Sequence, residues 1–560
     1  MKAVLGSYVA SVDAALKGMD QTKVVSRIWE HDHTVWKPEP TEITNRLGWL
    51  GISADMKKNV AGINALVEAV RADGYTHALL LGMGGSSLAP EVMRKTFGVK
   101  RGYLDLAVLD STDPGYVTGY AEALDCAKTL FIVSTKSGGT AETLSCFKFF
   151  YNRTAAAVGA ASAGAHFVAI TDPGSKLEKL AADHSFRKTF LNDPNIGGRY
   201  SALSYFGMVP AGLIGADVNQ ILDRGIAAAA ECGATVPASD NVAARIGVAM
   251  GELAKQGRDK LTFVTSPQIS SFEDWVEQLI AESTGKEGTG VVPIVGEDPS
   301  NADVFGDDRV LAYLKLAGDT THDAAVAALH KAGQPLLQVE LADAYDLGRQ
   351  YLVWELATAV AGAVLAINPF DQPNVESAKV QARAMIAEYQ AKGALPAEEP
   401  AVRTAAADVY GAATGSDAGA AVKALVEGAP SGGYVSFHAY LTPGDDVTGA
   451  LQRLRTAVST KTKLAATIGY GPRFLHSTGQ LHKGDGGRGV FVQFTTDHAA
   501  DVAIPDEPGA DASAMTFGVL QAAQALGDRK ALEGAGRKVI RVHLKGNTAE
   551  GIAAIADAIE

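Results

Sequence analysis

Two segments of this chain gather small hydroxyl side chains around glycines where an apolar run gives way to a helix. The first, LGMGGSSLAP over 81–90, sets Ser86 and Ser87 behind Gly82, Gly84 and Gly85. Its glycines are not spaced as in a dinucleotide-binding turn, because Ser87 takes the third glycine position. Hydroxyls placed there either cap the helix or hold an anion. The second segment, STKSGGTAET over 134–143, places Ser134, Thr135, Ser137 and Thr140 around Lys136. Free backbone N–H groups, hydroxyls and one ammonium converge there, which is what a phosphate monoester dianion requires. A helix terminus by itself contributes only about 0.3–1 kcal/mol to anion binding. Hydroxyl and lysine contacts must therefore supply most of the affinity.

Groups suited to acid–base chemistry lie further along. In NIGGRYSALSYFG (195–207), Arg199 follows two glycines that free the backbone to turn its guanidinium into a cleft, where a fixed positive charge suits a developing oxyanion. In SFEDWVEQLIAESTGKEGTG (271–290), Gln278 and Glu282 stand four apart on one helical face, and the helix breaks at Gly285. Leu279, Ile280 and Ala281 imply that this carboxylate is partly buried. The Gly-Lys of that segment is not a P-loop, since Ile280 stands where the first glycine belongs and Glu287 follows the lysine. Gln372 and Lys379 open a helix after the turn INPFDQPN, and His476 sits at a strand-to-helix turn in FLHSTGQLHKG (474–484). The His31/Asp32/His33 cluster lacks a third ligand at zinc spacing and reads as solvated.

These residues need elements to hold them. Residues 1–70 read as helices interrupted between Trp36 and Pro40. Apolar runs at 77–82, 104–110, 129–135 and 166–171 then alternate with helix-length segments, the pattern of a doubly wound parallel sheet. Runs at 260–266, 309–316 and 335–341 repeat it. The expected units are an N-terminal helical segment (1–70), a first α/β domain with the hydroxyl-rich turns (71–235), a second carrying Glu282 (236–394), an Ala/Gly/Pro-rich linker (395–432) and a C-terminal α/β region with His476 (433–560). ALHKAGQPLLQVEL (328–341) recurs as ALEGAGRKVIRVHL (531–544), and 312–329 resembles 439–454. The C-terminal region thus reads as a partial repeat of the second domain.

Composition narrows the class. A formal net charge of −13 over 560 residues argues against nucleic acid, whose binding is driven by clustered Lys and Arg. It also means that an anionic ligand needs local groups to reverse the field. Cys126, Cys146 and Cys232 show no CxxC spacing and read as buried thiols in a reducing compartment. The N-terminus lacks a signal h-region and no apolar stretch is long enough to span a membrane, so a cytoplasmic location is expected.

Taken together, GMGGSSLAP, STKSGGTAET, GGRYS, QLIAESTGK, INPFDQPNVE and LHSTGQ resemble glucose-6-phosphate isomerases, with block order closest to the isomerase part of transaldolase/isomerase fusion proteins. The resemblance spans roughly residues 34–545. It implies two sugar-isomerase (SIS-type) domains and a cofactor-free, metal-free interconversion of glucose 6-phosphate and fructose 6-phosphate through a cis-enediol. It assigns substrate binding to Gly85, Ser86, Ser134, Thr135, Lys136, Ser137, Thr140, Gln278 and Gln372. Glu282 becomes the general base and Arg199 the charge stabiliser, with Lys379 and His476 assisting ring opening. A homodimer is expected because the family usually forms one.

Two departures stand out. In the family the histidine block usually follows soon after the base and often comes from the neighbouring subunit, whereas here it lies beyond Lys379. Folding or dimerisation must then bring His476 to within about 10 Å of Glu282, because a shared substrate needs hydrogen-bond reach. Only about thirty residues precede the junction-like segment 34–50, too few for a transaldolase barrel of some 250 residues, so no transaldolase activity is expected. A regulatory sugar-phosphate-binding module is the rival reading, and an isomerase acting also on mannose 6-phosphate is a second.

Overall fold

Apolar runs become strands buried on both faces, as parallel sheets covered by helices require. The computed structural model describes every residue from Met1 to Glu560. A short strand, β1 (Lys2–Val4), precedes the N-terminal helices. The first sheet contains β2 (His77–Gly82), β3 (Asp105–Leu109), β4 (Thr129–Ser134), β5 (Phe167–Thr171) and β6 (Lys188–Leu191), all parallel in the order β3-β2-β4-β5-β6.

The second sheet contains β7 (Lys260–Thr265), β8 (Val292–Ile294), β9 (Arg309–Leu316) and β10 (Leu336–Leu341), in the order β1-β10-β9-β7-β8. Here β1 pairs antiparallel with β10. The first seventy residues are thus no separate unit, because their opening strand completes the second sheet's edge.

A third sheet is built from β11 (Val402–Arg403), β12 (Ala407–Gly411), β13 (Tyr434–Tyr440), β14 (Ala465–Tyr470) and β15 (Gly489–Thr496). A two-strand ribbon, β16 (Ala503–Ile504) with β17 (Met515–Thr516), precedes its last strand, β18 (Lys538–Leu544). The order is β11-β12-β18-β15-β13-β14. Residues 402–427, expected as linker, supply two of these strands and the helix Ala418–Glu427. Shortness and an Ala/Gly/Pro-rich composition hid them, since β11 spans two residues and β12 five.

The second and third sheets share a plan. β8-β7-β9-β10-β1 and β14-β13-β15-β18-β12 each comprise four parallel strands and an antiparallel neighbour. The sequence match of 328–341 with 531–544 falls on equivalent strands, β10 and β18. The match of 312–329 with 439–454 does not, since it sets β9 against β13.

Six helices position the cleft and its supports: α1 (Leu88–Phe97), α2 (Ala141–Val158), α3 (Phe272–Thr284), α4 (Val375–Lys392), α5 (Gly479–Gly484) and α6 (Phe517–Gly534). One apolar core runs unbroken through the first two sheets, while the third has its own. A smaller cluster, including Ala281, Val292, Leu481 and Phe491, joins the second to the third. All three cysteines are buried and unpaired. No helix is long and apolar enough to cross a membrane.

Candidate active site

In the first sheet the chain leaves β2 toward β3 on one side and β4 on the other, so a crevice opens beyond the carboxyl ends of β2 and β4. Both hydroxyl-rich turns line it. After β2 the chain makes the tight turn Gly84–Ser86, with Gly84 at φ +54°. A Cβ on Gly85 would lie 2.0 Å from the Gly198 carbonyl oxygen. Only glycine lets this turn press against the one that bears Arg199.

After β4, the Thr135 and Thr140 hydroxyls stand 3.0 Å apart and the Ser137 hydroxyl accepts from the Gly139 N–H at 3.3 Å. The Lys136 ammonium pairs with Asp172 and donates to the Pro194 carbonyl at 2.9 Å. Ser134 does not face the crevice. Fully buried at the end of β4, its hydroxyl donates to the Ser86 carbonyl at 3.0 Å and ties the two turns together. Strand alternation explains this, because neighbouring residues point to opposite faces.

The opposite wall is α3. Gln278 and Glu282 occupy one face, as their spacing predicts, and the Gln278 amide donates to Glu282 Oε2 at 3.0 Å. Arg199, 2% exposed, reaches Glu282 Oε1 at 3.3 Å. Its remaining donors hold the wall itself, with Nε on Ser283 Oγ at 2.7 Å, one terminal nitrogen on Gln372 Oε1 at 3.0 Å and the other on the Pro369 and Asp371 carbonyls. Lys286 grips the same loop through Asp371 at 2.8 Å. Burial and the neighbouring Arg199 push the Lys286 ammonium down to about 8.

His476 arrives from the third unit, in the turn Arg473–His476 after β14. The same Gln278 nitrogen that bonds Glu282 donates to the His476 carbonyl at 2.7 Å, so Glu282 and His476 share one cleft of one chain. His476 Nε2 meets Glu142 Oε1 at 2.8 Å. Burial alone would raise the Glu142 carboxyl, but the charge and hydrogen bond of His476 outweigh it and hold it below the usual carboxylate range. Gln372, in the turn before α4, and Lys379, in the second turn of that helix, complete the rim. The cleft encloses about 460 Å³, within the range of small-molecule sites. Lys136, Arg199 and Lys379 line it beside the carboxylates of Asp172 and Glu282. Gln278 Oε1 and Asp172 Oδ1 are buried without a hydrogen-bond partner, acceptors suited to a ligand's hydroxyls.

Of the sequence-predicted residues, all but Ser134 and Ser87 line this cleft, the Ser87 hydroxyl being buried and donating to the Gly84 carbonyl at 3.1 Å. Glu142, Asp172 and Ser283 were not singled out. Glu142 and Ser283 stand inside the quoted segments, at the second residue after Thr140 and the first after Glu282. Asp172 lies just past β5, where no local pattern marks it. His33 and Asp32 are spent locally, on the Lys37 carbonyl and on Arg27.

With two hydroxyl-rich turns facing a carboxylate held by arginine across a parallel-sheet crevice, the chain is a sugar-phosphate isomerase of the α/β sugar-isomerase superfamily. The phosphoglucose isomerase family matches residues 52–306. The chain is 32% identical over 369 residues to the glucose-6-phosphate isomerase of Rubrobacter xylanophilus, covering 56% of this chain and 83% of that protein. It is 24% identical over 382 residues to that of Parabacteroides distasonis, covering 60% and 85%. The chain belongs to the glucose-6-phosphate isomerase family. Among solved structures, a hypothetical protein from Thermus thermophilus superposes with TM-score 0.60 at 24% identity, covering 69% of this chain and all of that one. A glucose-6-phosphate isomerase from Chlamydia trachomatis does so at 0.50 and 18% identity, covering 65% and 78%. Both likenesses speak to the fold alone. The family match spans the turns, Arg199, Gln278 and Glu282, while Gln372, Lys379 and His476 lie beyond it.

Proposed function

We propose that this cleft interconverts glucose 6-phosphate and fructose 6-phosphate by proton transfer through a cis-enediol. The observation that carries the reading is the Glu282 carboxylate, fixed between Arg199 and Gln278 and facing the turns at 83–87 and 135–140 across the cleft. The phosphate sits on Gly85, Ser86, Thr135, Lys136, Ser137 and Thr140, with Ser134 bracing the turns from behind. Lys136 exchanges its Asp172 contact for the phosphate. His476, held by Glu142, and Lys379 move the protons that open the sugar ring.

Glu282 then takes the C2 proton. The electrons of that C–H bond form the C1–C2 double bond while the C1 carbonyl oxygen takes up negative charge beside Arg199. A proton passes from the C2 hydroxyl to O1, so that the C2–O bond becomes the new carbonyl as Glu282 returns its proton to C1 to give the ketose. A positioned base of this kind contributes about 10²- to 10⁴-fold, and oriented charge about 10²- to 10³-fold.

The test is turnover of fructose 6-phosphate, coupled to glucose-6-phosphate dehydrogenase with EDTA present, for wild type beside Glu282→Gln. Wild-type turnover, deuterium entering C2 in D₂O, and a loss of at least about a hundredfold in kcat for the variant are expected. Binding of sugar phosphate without turnover would overturn the reading in favour of a regulatory module. Activity on mannose 6-phosphate is assayed in the same series.

A further inference from the structure

Glu142 carries two hydrogen bonds on one oxygen. His476 Nε2 stands 2.8 Å from Oε1, and the side-chain amide of Gln524 donates to the same oxygen at 2.7 Å. An amide can present either end to a carboxylate, and only its N–H end binds. Here the choice is made from behind, because the Thr112 hydroxyl donates to Gln524 Oε1 at 2.8 Å. Thr112 is fully buried and Gln524 is 5% exposed, so no water competes for these groups. The chain of contacts crosses three times between units. Thr112 follows β3 and Glu142 lies on α2, both in the first unit, whereas Gln524 on α6 and His476 belong to the third.

We infer that Gln524, oriented by Thr112, is a positioning residue that fixes the Glu142 carboxylate and through it the imidazole of His476. The inference rests on the proposed role of His476 for its consequence in turnover, though not for its geometry. With Oε1 shared, the carboxylate cannot rotate without losing both bonds, so the ring is aimed with its Nδ1 free of any protein hydrogen bond. The charged groups acting on Glu142 are His476 and, more distantly, Lys379. Cys146, one turn along α2, is a buried thiol pushed far up by desolvation and stays neutral.

Three variants test this in the full-length protein. Gln524→Met keeps the bulk and removes the donor. It is expected to lower kcat about tenfold to a hundredfold, the cost of a misaimed catalytic group, with KM changed less than about threefold. Gln524→Glu sets a second carboxyl against Glu142, and two carboxyls so close share a proton. As an acid it donates as the amide did, so its kcat relative to wild type is expected to be highest near about pH 5.5 and to fall steadily toward about pH 8. A merely structural role predicts a flat ratio. Thr112→Val frees the amide to flip and is expected to cost about threefold, a smaller loss than that of the donor itself.

Independently of activity, the His476 Nε2 resonance of the ¹⁵N-histidine-labelled protein is expected to move in Gln524→Met, because a carboxylate no longer held by the amide donor changes the hydrogen bond it makes to the ring. An unmoved resonance overturns the inference, as does wild-type kcat in Gln524→Met. If the wild-type protein lacks isomerase activity, the resonance still decides the positioning claim, while the functional reading alone fails.

Discussion

At the scale of single residues, the cleft places charge by burying it beside a partner. Arg199 spends its donors on Ser283, Gln372 and two carbonyls, so its guanidinium stands fixed before any ligand arrives. Such preorganisation means that no reorganisation is needed as charge develops. A different carboxylate on α3 lacks a cation at salt-bridge distance. Glu273, buried in the first turn, accepts from Thr265 at 2.8 Å and from the Gly296 N–H at 2.7 Å, and desolvation raises its carboxyl to about 7. Below the unfolded value of about 4.5 both states are protonated. As pH rises from there through 7, the unfolded chain releases the proton first, so stability is lost across that window, on the order of 3 kcal/mol. Glu273→Gln does not titrate. Its thermal midpoint relative to wild type should rise between about pH 5 and about pH 8, and a constant difference would refute the assignment.

At the scale of elements, the site depends on how closely two turns approach. Gly85 touches the Gly198 carbonyl, and Gly84 adopts the left-handed backbone beside His476 and Gln278. A methyl group at 85 would have to displace the backbone of the Arg199 turn, since nothing flexible stands in its way. Gly85→Ala is therefore expected to lose at least about a hundredfold in kcat/KM, as misplacement by about an ångström does. Steady-state kinetics check this, and near-normal activity would show that the turns need not touch.

At the scale of the whole molecule, the third unit is docked rather than tethered. Leu481 of α5 lies against Gly285 at the end of α3, and the Gln480 amide donates to the Gly285 carbonyl at 2.9 Å. This docking carries His476 into the cleft of its own chain. One chain thereby brings Glu282, Arg199 and His476 into one cleft, so the proposed turnover is expected to need no second copy. Specific activity should hold constant on dilution from about micromolar to about nanomolar protein, whereas a site shared between subunits would lose activity by mass action. Enzyme assays across that range, beside sedimentation analysis, measure it.

Much of this was legible before the structure. HALLLG and TLFIVS announce buried parallel strands by composition, and the turns after them must sit where a ligand would because strand ends are where parallel sheets open. Gln278 and Glu282 share a face because an α-helix repeats every 3.6 residues. These are local consequences of backbone geometry, readable within a dozen residues. Other features were not local. Ser134 turned away by strand parity, the short strands at 402–411 looked like linker, and β1 joined a sheet whose other strands begin more than 250 residues later. The pairing of Glu142 with His476 spans 334 positions. Which third-unit groups face it is decided by the packing of Leu481, Gln480 and α6 against the first two units. Side chains alone determined the chemistry available here. Only the docking of the third unit, through contacts distant in sequence, determined which of those groups meet.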